Sequence, residues 1–201
     1  MSDFPYLARY KEENEALLNE EIPAMRMVFL GDSITEFWKR EHPTFFENKA
    51  FVNRGISGQT TPQLLGRFQQ DVLELNPQRL HLLAGTNDIA GNTGEMTQAE
   101  SLENIRSMIQ QAQARNIKVM LGAVLPADAF HWRPTVRPLE RILSLNKALQ
   151  ALAQTMGIPF IDYHSAMCDE NGAMRADLAD DGVHPNVHGY RIMEKVLSQF
   201  L

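Results

Sequence analysis

The chain is poor in the features that mark several classes of protein. It contains one cysteine, Cys168, among 201 residues, which excludes a framework of intramolecular disulfides. We interpret Cys168 as a structural thiol and not as a nucleophile, because no motif surrounds it. No run approaches the roughly 20 apolar residues that a membrane-spanning helix requires, so membrane insertion is not expected. Clusters of lysine and arginine are also missing, and a net charge of −6 disfavours nucleic acid as a partner.

The first 21 residues lack an apolar segment as well. They are strongly charged and do not resemble a secretion signal. We therefore expect a cytoplasmic protein, and a secreted or periplasmic one only if a leader had been removed. The 44% apolar and 22% charged residues are typical of a globular protein that buries its own core.

We predict a single domain over residues 1–201. Residues 1–22 form a helical extension in this interpretation, with one helix over Phe4–Glu20 packed outside the rest of the fold. No internal repeat or linker divides the chain. A homodimer is left open, because nothing in the sequence identifies an interface.

Short apolar runs alternate with segments of helical periodicity along the chain. Five runs predict buried strands: Met25–Leu30, Ala50–Asn53, Leu80–Ala84, Ile117–Leu125 and Pro159–Tyr163. Apolar residues at three- and four-residue spacing predict helices over Gln98–Arg115 and Leu139–Met156. Pro185 and Asn186 begin a last helix that runs to about Leu197. This alternation is typical of an α/β fold with a parallel sheet covered on both faces, which binds ligands beyond the carboxyl ends of its strands.

The segment Gly31-Asp32-Ser33 follows the first predicted strand and opens a short helix. The backbone N–H of Ser33 then lies at a helix N-terminus, which favours a developing negative charge. A serine hydroxyl becomes a useful nucleophile when an imidazole takes its proton and a carboxylate orients that imidazole. The alternative is that Asp32, Ser33 or Thr35 only caps the helix.

An imidazole and a carboxylate occur together in Asp181-Gly182-Val183-His184. With three-residue spacing in a loop, the Asp181 carboxylate can fold back on a ring nitrogen of His184 and fix its tautomer. Asp180 is a competitor, and Asp181 is preferred on spacing. A rival hypothesis makes His184 and His188 zinc ligands, but the H-E-x-x-H glutamate is absent and no third ligand is evident. We therefore predict no metal site.

Two further polar loops follow predicted strands. In the first, Gly58 can offer its N–H to an oxyanion, because glycine allows the backbone to approach a ligand closely. In Gly85-Thr86-Asn87-Asp88, the Asn87 side chain carries two uncharged amide donors that suit an oxyanion hole. The alternatives are a loop with a threonine cap for the next helix and an Asx turn. We interpret Asp88 as a structural acceptor.

Together these segments resemble the SGNH hydrolases, also called the GDSL esterase/lipase family. The matching motifs are, in the family's order, Gly31-Asp32-Ser33, Gly58 within Gly55-Ile56-Ser57-Gly58, Gly85-Thr86-Asn87-Asp88 and Asp181-Gly182-Val183-His184-Pro185. The resemblance implies a flavodoxin-like three-layer αβα sandwich with a five-stranded parallel sheet, and no metal or organic cofactor. Within the family, the sequence looks most like small bacterial esterases related to platelet-activating-factor acetylhydrolase.

The resemblance also implies roles for the motif residues. Ser33 is expected to be the nucleophile, His184 the general base and then acid, and Asp181 its orienting carboxylate. The N–H groups of Ser33 and Gly58 and the side chain of Asn87 are expected to form the oxyanion hole. The implied reaction is hydrolysis of small, short-chain (acetyl) esters through an acyl-enzyme on Ser33, with acetylated carbohydrate as one candidate substrate.

Specificity is predicted to lie mainly in the loop of residues 126–134. Phe130 and Trp132 can stack on a sugar ring or form the wall of an acyl pocket, and Arg133 can meet an anionic group. Arg54 and Asp32 are weaker candidates for substrate binding. The alternative is an ordinary ordered loop whose aromatic side chains pack on a neighbouring helix.

Two other functions stay open. A thioesterase or lysophospholipase would use the same site on a different substrate. A flavodoxin-type binding module would instead cradle a phosphate with Ser33 and Thr35, but it leaves Asp181 and His184 without a role.

Overall fold

The computed structural model describes residues 3–19 and 25–201. One sheet of five parallel strands has the order β2-β1-β3-β4-β5. The strands are β1 Met27–Gly31, β2 Phe51–Gly55, β3 Arg79–Leu83, β4 Lys118–Gly122 and β5 Phe160–Ile161. Each apolar run that predicted a strand contributes to one, and the predicted α/β fold is confirmed.

Helices cover both faces of the sheet. The α-helices in the described ranges are α1 Lys11–Leu18, α2 Ser33–Glu41, α3 Thr61–Phe68, α4 Thr86–Ala90, α5 Gln98–Gln113, α6 Pro138–Met156, α7 Tyr163–Met167 and α8 Val187–Leu197. Short 3-10 helices occupy Leu7–Arg9, Pro43–Glu47 and Ser198–Phe200, and a π-helical turn, Gln69–Leu73, continues α3. None of the helices in the described ranges combines the length and apolarity needed to cross a bilayer.

Successive side chains of β1 point to opposite faces and enter two separate cores, as the period of a strand requires. Val28 and Leu30 pack with apolar residues of α3, α5 and α6. Met27 and Phe29 pack on the other face with residues of α2, α7 and α8, including Trp38. The result is the predicted three-layer αβα sandwich.

The predicted strand ends are less accurate than the strand positions. β4 stops at Gly122, because the N–H and C=O of Val124 bond to the side chain of Asn146 at 2.8 and 2.9 Å instead of continuing a ladder. β5 retains two residues of the predicted five. The first strand begins at Met27, and Met25 is half exposed.

The N-terminal extension is not the single helix predicted over Phe4–Glu20. A 3-10 turn, Leu7–Arg9, precedes α1, and Glu20 lies outside the described residues. Tyr10 separates the two helical pieces and donates a hydrogen bond from its hydroxyl to the carbonyl of Gly55 at 2.5 Å. The extension therefore packs against the carboxyl end of β2, next to the polar loops.

Candidate active site

The carboxyl ends of the three central strands lie side by side. Gly31 ends β1 and is paired with Gly55 of β2 and Leu83 of β3. A side chain at Gly31 would overlap the Thr35 side chain and the Leu83 carbonyl, and one at Gly55 would overlap the backbone of Glu36. Glycine at both positions lets α2 start directly against the edge of the sheet.

Ser33 is the first residue of α2 and lies at this edge. The helix is capped by Asp32, whose Oδ1 accepts a hydrogen bond from the N–H of Ile34 at 3.0 Å. The helix cap and the predicted nucleophile of this motif are therefore different residues. Ser33 Oγ lies 2.9 Å from Nε2 of His184, although the two residues are 151 positions apart.

The loop before α8 holds His184 through Asp181. Oδ2 of Asp181 lies 2.6 Å from Nδ1 of His184, and Oδ1 accepts the backbone N–H groups of His184 at 2.7 Å and Val183 at 2.9 Å. Gly182 makes this turn with a φ of 75°, which a side chain would strain. Asp180 points elsewhere, with Oδ1 3.3 Å from Nδ2 of Asn186.

The charge of Asp181 suits this arrangement. Burial alone would raise the pKa of Asp181, but hydrogen bonds from the side chain and N–H of His184 and from the N–H of Val183 bring it below its ordinary value. The carboxylate therefore stays ionised and favours a proton on Nδ1 of His184. Nε2 then presents its lone pair to the Ser33 hydroxyl, which is the geometry of a general base.

Asn87 and Gly58 reach the same place from neighbouring loops. Nδ2 of Asn87 donates to the carbonyl of Gln59 at 3.1 Å and to Oδ2 of Asp32 at 3.2 Å. Gly58 has a φ of 77°, and both residues line a cavity with Ser33 and His184. Because the two amide hydrogens of Asn87 already have acceptors, an oxyanion would have to displace one of them.

This cavity has a volume of about 250 Å³ and is open to solvent. Its lining residues are Ser33, Phe37, Ser57, Gly58, Asn87, Asn92, Trp132 and His184. Two aromatic rings flank the imidazole of His184, with Phe37 at 5.3 Å and Trp132 at 6.0 Å between ring centroids. A larger cavity of about 740 Å³ lies near the amino end of β4, and the described residues that line it include no serine, histidine or carboxylate.

The loop of residues 126–134 contributes one wall of the cavity. Trp132 is 39% exposed and faces His184, as the specificity hypothesis requires. Phe130 is fully buried and stacks under Trp132 at 4.9 Å, so it supports the wall without forming it. Arg133 donates to the carbonyl of Gly91 at 3.3 Å, at the margin of the cavity.

The structure corrects the substrate-binding hypotheses for Arg54 and Asp32. Arg54 is 2% exposed, donates to Oδ1 of Asn14 at 2.8 Å and lies over the ring of Tyr10, outside the cavity lining. Asp32 is 1% exposed and is used by the helix cap and by Asn87. Its burial raises the pKa to about 6, despite the hydrogen bond from Ile34. Asp32 lies behind the cavity against Asn87, Phe130 lies behind Trp132, and Arg54 lies against the N-terminal extension.

Four residues near the site were not identified from the sequence. Phe37 and Ser57 line the cavity, and so does Asn92. Phe37 follows Ser33 by four residues on α2, a spacing that places both on one face of a helix and could have indicated it. The fourth is His131, whose Nε2 donates to the carbonyl of Asp181 at 2.8 Å.

The geometry bears on the rival metal-site hypothesis and on the role of Asp88. No group of three or more histidine, cysteine or acidic side chains within residues 3–19 and 25–201 is placed to hold a metal ion. Asp88 accepts hydrogen bonds from the hydroxyls of Thr61 and Ser101, and burial raises its pKa. It joins α3, α4 and α5 as a structural acceptor and does not line the cavity.

The chain was compared with known proteins. The sequence profile described as the GDSL-like lipase/acylhydrolase family matches residues 29–192. A solved GDSL-like lipase from Bacteroides thetaiotaomicron is 42% identical with a TM-score of 0.93, and the match covers 98% of this chain and 97% of that one. An acetylxylan esterase from Geobacillus stearothermophilus is 24% identical over 72% of this chain and 68% of its own length.

A further relative is an uncharacterised lipoprotein, YqeF, from Bacillus subtilis. It is 35% identical over 152 residues, which make up 66% of this chain. The match spans 62% of the lipoprotein, less than two thirds of its length. The cytoplasmic location expected from the sequence stays a prediction.

Proposed function

Because the chain belongs to the GDSL-like lipase/acylhydrolase family, we propose that it is a serine esterase that cleaves small carboxylic esters through an acyl-enzyme on Ser33. Membership of this family indicates an enzyme that hydrolyses esters, and the resemblance drawn from the four motifs is confirmed. The observation that carries the finer proposal is the continuous chain from Ser33 Oγ to His184 at 2.9 Å and from His184 to Asp181 at 2.6 Å.

In the first step, Ser33 Oγ attacks the ester carbonyl while Nε2 of His184 takes its proton. The Asp181 carboxylate beside Nδ1 stabilises the imidazolium that forms. His184 then protonates the alkoxide oxygen of the leaving alcohol, which departs and leaves the acyl group on Ser33. Water repeats the same sequence on the acyl-enzyme and releases the carboxylic acid.

Negative charge develops on the carbonyl oxygen in both steps. The N–H of Ser33 at the start of α2, the N–H of Gly58 and the amide of Asn87 are the proposed donors. The Asn87 amide would exchange its bond to the Gln59 carbonyl, now 3.1 Å long, for a bond to the charged oxygen. A bond to an ionised acceptor is the stronger of the two, so the exchange favours the transition state over the ground state.

We further propose that the acyl group is short, with acetyl as the first candidate. The cavity of about 250 Å³ must hold the acyl group together with part of the leaving alcohol. The exposed face of Trp132 can stack on a sugar ring, which suits an acetylated carbohydrate. The acetylxylan esterase among the relatives supports this choice.

The proposal is tested with p-nitrophenyl acetate, butyrate and octanoate, assayed with the wild type and with Ser33→Ala. Removal of the nucleophile should leave less than about one thousandth of wild-type kcat, since catalysis without it depends on binding and the oxyanion donors alone. The matched control is Ser144→Ala, at an exposed serine of α6, which should keep full activity.

Acetate turned over fastest by the wild type would support the short-chain assignment. Substantial turnover by Ser33→Ala would refute the acyl-enzyme. The same enzymes assayed on acyl thioesters would separate an esterase from a thioesterase with the same site.

A further inference from the structure

The turn that follows α4 contacts the proposed oxyanion donors on one side of the cavity and the Trp132 wall on the other. Its residue Asn92 donates from Nδ2 to Oδ1 of Asn87 at 2.8 Å and to the carbonyl of Gly58 at 3.1 Å. The Oδ1 atom of Asn92 accepts the indole N–H of Trp132 at 3.1 Å. One side-chain amide therefore joins the two proposed oxyanion donors to the aromatic wall.

The bond to Asn87 helps to fix which way its amide faces. An asparagine amide can rotate and exchange the positions of its oxygen and nitrogen. With Oδ1 of Asn87 accepting from Asn92, Nδ2 faces the Gln59 carbonyl and Oδ2 of Asp32. Once an oxyanion has displaced the Gln59 carbonyl, Asn92 and Asp32 hold the amide. Without Asn92, only Asp32 would oppose a rotation that presents an oxygen to the oxyanion.

The bond to Gly58 acts on the second donor. The N–H of Ser57 is held by Oε2 of Glu36 at 2.7 Å, and the carbonyl of Gly58 is held by Asn92 at 3.1 Å. The peptide that carries the Gly58 N–H lies between these two fixed points. Gly58, at a φ of 77°, has no side chain to restrict its backbone, so the two anchors help to aim that N–H.

The turn itself does not depend on the Asn92 side chain. The backbone N–H of Asn92 bonds to the carbonyl of Asn87 at 3.1 Å, and that of Gly91 bonds to Asp88 at 3.1 Å. The hydroxyls of Thr60 and Thr93 add a separate contact at 3.0 Å. Loss of the Asn92 amide should therefore leave the turn folded.

We propose that Asn92 is a positioning residue, which orients the Asn87 amide and the Gly58 N–H and anchors Trp132 over His184. This inference rests on the proposed serine esterase function. It assigns the oxyanion donors and the specificity wall to a single supporting side chain. Turnover should depend on the two hydrogen bonds donated by Asn92, and selectivity among esters on the one that it accepts.

Three variants separate these bonds. Asn92→Asp keeps the acceptor for Trp132 but cannot donate to Asn87 when ionised, and Asn92→Ala removes all three bonds. Trp132→Phe keeps an aromatic wall and removes only the indole donor. Thr93→Val is the matched control, because the hydrogen bond that it removes from the same turn is made to Thr60 and not to Asn87, Gly58 or Trp132.

With p-nitrophenyl acetate, kcat of Asn92→Asp and Asn92→Ala should fall by about 10- to 100-fold with KM changed less than about threefold, the loss expected when a supporting residue is removed. Adding Asn92→Ala to Asn87→Ala should lower kcat by a smaller factor than Asn92→Ala does in the wild type, since only the bond to Gly58 is then left to lose. Trp132→Phe should change relative rates among esters, because the aromatic wall loses its hydrogen bond to Asn92.

Additive losses in the double variant, an equal loss in Thr93→Val, or unchanged kcat in both Asn92 variants would overturn the inference. If Asn92→Ala folds poorly, the isosteric Asn92→Asp decides the question. An inactive Ser33→Ala beside fully active Asn92 variants would overturn this inference alone. Full activity of Ser33→Ala would instead overturn the esterase proposal on which it rests.

Discussion

Replacement of Asp181 by asparagine exchanges one carboxylate oxygen for an amide nitrogen. In the wild type, Oδ1 accepts two backbone N–H groups, at 2.7 and 2.9 Å, and Oδ2 faces Nδ1 of His184 at 2.6 Å. The asparagine oxygen can keep both backbone bonds only if its NH₂ group faces Nδ1. If the amide turned round, its NH₂ group would face the two backbone N–H groups. Neither backbone group would then have an acceptor, at a cost of about 1–3 kcal/mol for each unsatisfied group.

The amide therefore forces the wrong tautomer on His184. Facing a donor, Nδ1 must carry the lone pair, and the ring proton moves to Nε2. The proton then points at Ser33 Oγ, 2.9 Å away, and the imidazole can no longer accept the serine proton. We expect kcat to fall by up to about 10⁴-fold, the loss found when the triad carboxylate of another serine hydrolase is replaced by an amide.

The assay is p-nitrophenyl acetate hydrolysis with Asp181→Asn beside Asp180→Asn. The Asp180 variant adds the same chemical change one residue away and should keep kcat within about twofold, as for a substitution outside the site. Thermal unfolding checks that both variants are folded. Equal activities of the two variants, or a larger loss in Asp180→Asn, would refute the assignment of Asp181.

The remaining predictions concern the oxyanion hole, the aromatic wall and the buried carboxyl. Asn87→Ala should lower kcat by about 10²–10³-fold on p-nitrophenyl acetate with little change in KM, and normal kcat would exclude Asn87 as a donor. Trp132→Ala should alter relative rates across a panel of alkyl and sugar acetates, and an unchanged pattern would refute the wall. Burial raises the pKa of Asp32 to about 6, so its contribution to the free energy of unfolding is fully present below pH 4 and is lost as pH rises through 6. Between pH 4 and 6, the free energy of urea unfolding should therefore fall on the order of 3 kcal/mol less in Asp32→Asn than in the wild type. The same fall in both proteins would contradict the raised pKa.

Much of the fold follows from local pattern. Each strand is a short apolar run because both faces of a parallel sheet are buried, and such runs are visible in the sequence. Their ends are set by partners that are distant in sequence. Asn146 takes the backbone of Val124 out of the sheet, and no local pattern around either residue indicates this contact.

The motif residues were predicted because their chemistry and spacing are distinctive. The structure brings Ser33, His184 and Asp181 into one hydrogen-bonded chain and places Asn87 and Gly58 beside them. Their catalytic roles stay predictions until the variants are measured. The sequence made Arg54 a weak candidate for substrate binding, because its partner Asn14 lies in the N-terminal extension, 40 positions away, and is not indicated by any local pattern.

Asn92 shows why supporting residues are harder to find. An asparagine after a glycine reads as an ordinary turn residue, and the turn does use its backbone. Its side-chain partners Gly58 and Trp132 are 34 and 40 positions away in opposite directions along the chain. Such a convergence depends on the assembled sheet and leaves no periodic signal.

Covalent labelling tests the central claim most directly. A p-nitrophenyl phosphonate ester transfers its phosphonyl group to an activated serine and forms an adduct that hydrolyses slowly. The account predicts complete loss of esterase activity with one label, found on Ser33 by peptide mass spectrometry, and no labelling of Ser33→Ala. Inactivation with the label on another residue, or undiminished ester turnover by an enzyme labelled at Ser33, would contradict it.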